Sequence, residues 1–184
     1  MKTSDAKTAD PKLISLKSLC LTLWFLLLAA SAAFTQTAAQ KSFDQLKSLA
    51  GSWEGKNSKG QPLTVTFRDT AGDSAIMSEI EGKGEEDMIT MIHLDGPDRL
   101  VLTHYCSSGN QPRMLATASP DGKTITFNFL DATNLSTPNA GHMQSVRFEM
   151  LDVNHHIEEW TFNPGGGEQM KEFFDLRRSE LAHK

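Results

Sequence analysis

Two side chains with ligating and nucleophilic chemistry, His104 and Cys106, stand two positions apart in the stretch Arg99 to Cys106. Alternate residues of an extended chain share a face, so Leu100, Leu102, His104 and Cys106 would all point one way. An imidazole and a thiolate so placed could bind a metal ion or a haem iron. They could also serve as base and nucleophile. Each reading lacks a partner: no third ligand stands at a diagnostic spacing, and no orienting group or oxyanion hole is evident. A buried cysteine is also simply a small hydrophobe. Core or cavity lining is therefore the plainer expectation for the pair, with no catalytic residue and no metal site.

Other polar residues divide the same way. In Asn110-Gln111-Pro112-Arg113 the arginine could clamp a carboxylate at the mouth of a fold, or lie in solvent. Glu158 shares strand parity with Trp160 and Phe162, Glu159 with Ile157 and Thr161. An inward glutamate needs a partner, for which Arg147 is available. His155 and His156 are expected at a turn. Asp121-Gly122 reads as a turn, since the spaced carboxylates of a calcium loop are absent. Asn134-Leu135-Ser136 is a glycosylation sequon only in a eukaryotic setting.

The elements that must position these residues are short and strand-like. Leu63, Val65 and Phe67 alternate with Thr64, Thr66 and Arg68, and Ile125, Phe127 and Phe129 share a face. Turn chemistry separates the runs, as in Asp95-Gly96-Pro97-Asp98 and Ser119-Pro120-Asp121-Gly122. Counted from Trp53, about ten strands follow at hairpin spacing. One short helix over Ser42 to Ala50, capped by Ser42 and stopped by Gly51, precedes them. An antiparallel meander with one apolar face buries it and loses its edges by closing into an up-and-down barrel. A barrel of this size leaves interior space. The expected lining is Leu102, His104, Cys106, Phe127, Phe129, Phe148 and Trp160, with Arg113 at the rim.

Residues 1–39 read differently. Lys2, Lys7, Lys12 and Lys17 lead into an uncharged run of 16 residues, Leu19 to Phe34, whose later part is rich in small residues. That is the pattern of an export signal cleaved near residues 33–39. A spanning helix wants about 20 apolar residues, so an uncleaved anchor is the lesser reading. The expected destination is the periplasm or the exterior, with no stable membrane span after cleavage. Removing 1–39 takes the formal net charge from −5 to −7 and leaves Cys106 as the one cysteine of residues 40–184, so no internal disulfide can form there. No basic face suggests nucleic acid.

Gly51-Ser52-Trp53, opening the first strand after a short helix, resembles the Gly-x-Trp signature of the calycin superfamily, which spans lipocalins, fatty-acid-binding proteins and nitrobindins. In those families the tryptophan plugs the closed end and a basic residue of the last strand packs over it. The resemblance assigns that role to Arg177 or Arg178. Ten strands look more like the fatty-acid-binding and nitrobindin branches, and the layout also resembles exported bacterial lipocalin-like domains. Haem-binding nitrobindins use a late histidine, for which this sequence offers His155 and His156. The combined expectation is an exported barrel that binds an apolar or amphipathic small molecule and is not an enzyme. Haem or metal binding through His104 and Cys106 is one alternative. A structural or partner-binding domain is the other.

Overall fold

The computed structural model describes residues 35–82 and 87–179. The leader and the apolar run of residues 1–34 lie outside them. Helix α1 spans Ala38–Lys47 and is followed by ten strands. These are β1 Gly51–Lys56, β2 Pro62–Thr70, β3 Ala75–Gly82, β4 Met88–Leu94 and β5 Leu100–Tyr105. Then come β6 Gln111–Ala118, β7 Thr124–Thr133, β8 His142–Asp152, β9 His155–Asn163 and β10 Met170–Arg178. Each strand pairs antiparallel with its sequence neighbours, and β1 pairs with β10 to close the barrel. The fold expected from alternation and turn spacing is the fold observed.

Closure depends on one glycine. In the β1–β10 register Gly55 faces Leu176, and a Cβ at Gly55 would sit 2.0 Å from the Asp175 carbonyl oxygen. No side chain fits there, so only glycine lets the first strand approach the last this closely.

The helix starts earlier than its expected Ser42 cap. Thr37 is the N-cap: its Oγ1 accepts from the Gln40 amide at 3.1 Å and donates to the Pro97 carbonyl at 2.5 Å. A β-hydroxyl three residues ahead of a free amide satisfies one of the unpaired donors at a helix start. Ser42 lies instead inside the helix, on its buried face. The stripe Ala39, Phe43, Leu46 and Leu49 packs into the barrel core. Lys47 reaches Asp69 at 3.8 Å, so α1 lies across the end formed by the β2–β3 and β4–β5 turns. The opposite end, where the β1–β2, β5–β6, β7–β8 and β9–β10 loops gather, is the mouth.

Strand parity sends Trp53, Phe67, Ile76, Ile92, Leu102, Met114, Phe127, Phe148 and Leu176 into a continuous core with almost no solvent contact. The wide cavity expected from the strand count is thus filled at this level by large side chains from nearly every strand.

Candidate functional site

Three residues of β9 carry the polar interior. His156, Glu158 and Trp160 alternate along the strand, so all three point inward, and all are buried. His156 Nε2 and Glu158 Oε1 lie 3.2 Å apart, and Trp160 Nε1 donates to Glu158 Oε2 at 2.9 Å. Both carboxyl oxygens thereby have partners inside the core, the condition under which a buried acid is tolerated. On the closed side the His156 ring meets Trp53 edge-on, with centroids 4.3 Å apart. Trp53 Nε1 donates to the Leu49 carbonyl at 2.7 Å.

Towards the mouth, the His104 ring lies 4.7 Å from Trp160. His104 and Thr90 are direct partners in the β4–β5 register, with Thr90 Oγ1 and His104 Nδ1 2.9 Å apart. Burial pushes the His104 pKa down to about 4, so the imidazole is neutral near pH 7. Its Nε2 is buried and has no hydrogen-bond partner, as is also true of His156 Nδ1. A buried polar atom without a partner is uncommon and marks where something could bind. The two differ in setting. His156 Nδ1 lies at the closed end, where its ring meets Trp53 and Phe67. His104 stands one residue before Tyr105, at the mouth end of β5.

The mouth itself is lined by adaptable and aromatic groups. Met88 and Met143 are half-buried against the core. Phe129 stacks on His142 at 4.3 Å, and His142 Nδ1 lies 2.8 Å from the Ala140 carbonyl oxygen. A small void of about 10 Å³ sits between Leu63, Ile80 and Phe174.

Several sequence expectations change here. Leu102, His104, Phe127 and Phe148 have essentially no exposed surface, and Trp160 little; they are packed core rather than walls of an open space. Phe129, half-buried, is nearer the expected role. Cys106 lies beyond Tyr105, the last residue of β5, and is half-buried, so only His104 keeps the inward strand position. Arg113 does not reach the mouth. It points outward and pairs with Asp131 through its Nε at 2.6 Å and through a second guanidinium contact. His155 and His156 open β9 instead of forming a turn, because the β8–β9 hairpin turns tightly at Val153-Asn154. Glu158 is the inward glutamate, and Arg147 is not its partner. Arg147 binds Glu149 at 2.6 Å and Glu159 at 3.1 Å on the outer face. Hydrogen bonding from Lys171, reinforced by Arg147, holds the Glu159 pKa below the usual range.

Of the two basic candidates at the closed end, Arg178 is the one over Trp53, with its guanidinium carbon 4.3 Å from the indole centroid. Arg177 is exposed and pairs by register with Glu54. Gly51 lets Arg178 in: it has φ +125°, and its missing Cβ would lie 3.1 Å from the Arg178 guanidinium. Thr90 was not singled out from sequence, although its partnership with His104 follows once β4 and β5 are paired across Asp95-Gly96-Pro97-Asp98.

Among the described residues no three His, Cys, Asp or Glu side chains converge as a metal site. No helix among them is long and apolar enough to cross a membrane. No protein-family model and no curated protein matches the chain. Among solved structures it is similar to Rv2717c from M. tuberculosis, at 18% identity and a TM-score of 0.54. The match covers 76% of this chain and 98% of that one, and at this identity it shows the fold alone.

Proposed function

We propose that this barrel binds an amphipathic small molecule that enters at the mouth and pairs a neutral polar head with Nε2 of His104. The observation that carries this reading is the unpartnered Nε2 of an imidazole held between Thr90 and Trp160, in a core whose neighbouring Glu158 has partners on both oxygens. His104 is neutral, so it offers no counter-charge to an anionic head. A hydroxyl both donates and accepts, and so matches either imidazole tautomer. The apolar body of the ligand would displace Met88 and Met143, whose unbranched side chains repack readily. The leader supports export as the setting of this function.

The test is a titration with 1-dodecanol and with dodecanoate, followed by tryptophan fluorescence. Saturable quenching by the alcohol, weaker with the carboxylate and lost in Trp160→Phe, supports the reading. No saturable change with either compound would sink it.

A haem group held by His104 and Cys106 is the weaker alternative. The residues do not fit it: Cys106 stands beyond the end of β5 and does not share the inward face with His104. The filled core favours the other alternative, a domain acting through its outer surface, wherever the titration fails.

A further inference from the structure

We propose a second binding site, separate from the interior, on the rim between the β5–β6 and β7–β8 loops, which takes a neutral polyhydroxyl compound such as a single sugar ring. A cavity of about 360 Å³ opens there, lined by Ser108, Gly109, Asn110, Asn134, Ser136 and Gly141, with Ala140 supplying its one apolar side chain. Asn110 is only 4% exposed, yet its amide is half used. Its Nδ2 donates to the Gly141 carbonyl at 2.8 Å, while its buried Oδ1 has no partner.

The surrounding backbone is already held in place. Asn134 Nδ2 donates to the Gly109 carbonyl at 2.6 Å, tying one loop to the other. Gln111 Nε2 donates to the same carbonyl at 3.2 Å. A ligand would therefore lose little affinity to loop ordering, and Asn110 Oδ1, buried in the free protein, would meet it by a turn of the side chain toward the cavity.

The chemistry of the lining selects the ligand class. None of the lining residues is Asp, Glu, Lys, Arg or His, so a charged ligand would be desolvated without a counter-charge. One methyl group is too little to hold an apolar ligand. What remains is neutral and hydrogen-bonding. Asn110 Oδ1 requires a donor, while the hydroxyls of Ser108 and Ser136 donate and accept. A ring of hydroxyls supplies both roles at once.

The experiment is a set of amide nitrogen–proton NMR titrations of the protein with glucose, N-acetylglucosamine, myo-inositol and potassium chloride. At least one polyol should give saturable shifts centred on Ser108, Gly109 and Gly141. Asn110→Leu should weaken that binding at least about tenfold, the scale of losing a buried hydrogen bond to a ligand hydroxyl. Should that variant unfold because the Gly141 contact is gone, Ser136→Ala leaves the contact intact and should still weaken binding measurably. The proposal is overturned if no polyol shifts these amides, if potassium shifts them instead, or if neither variant changes the affinity.

Discussion

Arg178 lies over the indole of Trp53 at 4.3 Å while its two terminal nitrogens donate to Ala50 and Ser48 at 2.8 and 2.9 Å. One side chain from the last strand thus joins the first strand to the segment that ends the helix. Arg178→Ala should cost about 2–3 kcal/mol, combining a cation–π contact with two charge-assisted hydrogen bonds. Lysine there should recover only part of this, since it lacks the planar fork. Arg177→Ala should change stability by less than about 0.5 kcal/mol, as exposed substitutions do. Urea denaturation of the three variants measures all of this, and equal losses at 177 and 178 would refute the assignment.

Acid sensitivity should follow His104. Its pKa falls from 6.5 to about 4 on folding, so between those values the unfolded chain binds more protons than the native one. Stability therefore rises with pH across this window, is fully present above about 6.5 and is lost as pH falls towards 4. The shift corresponds to roughly 3 kcal/mol. His104→Leu removes the titrating group, so its stability should depend less on pH between 4 and 6.5 than that of the wild type. Parallel denaturation curves for the two proteins across that range would contradict this.

Glu158 joins two buried side chains. Glu158→Leu leaves Trp160 Nε1 and His156 Nε2 without their partner and should cost about 2–4 kcal/mol. Glu158→Gln keeps an acceptor for Trp160 and should cost less. Denaturation midpoints give the ranking, and a leucine variant as stable as the glutamine one would show that the pairing contributes nothing.

The barrel was legible because its signal is repetitive. Alternation in Leu63-Val65-Phe67 and Ile125-Phe127-Phe129, with Gly and Pro between runs, fixes strand number and order. The site was only half legible. Parity places His156, Glu158 and Trp160 on one face, but it cannot choose between that face and the Glu159 face. The choice is made by Arg147 and Lys171 pairing Glu159 on the outside. Cys106 was misplaced because the strand stops one residue earlier, at the turn that Gly109 closes with its amide on the Cys106 carbonyl. The helix start was misplaced because Thr37 and Ser42 are both competent caps, and only contact with Pro97 selects the first.

That helix start bears on export. Thr37 caps α1 and Ala39 is buried in the core, so a cut after Ala39 would remove both. If the leader is an export signal, as proposed above, cleavage after Ala33 keeps the cap, and N-terminal sequencing of the mature chain should begin at Phe34. A mature chain beginning at Gln40 would show that the capped helix is dispensable.

The proposed interior site turns on His104 Nε2 as the polar contact for its ligand. Imidazole nitrogen NMR of the protein with and without 1-dodecanol tests it most directly. The His104 Nε2 resonance should move on saturation while the His156 resonances stay in place, and native mass spectrometry should find one alcohol per chain, lost in His104→Leu. Binding that leaves the His104 nitrogens unmoved, or that persists in His104→Leu, would contradict it.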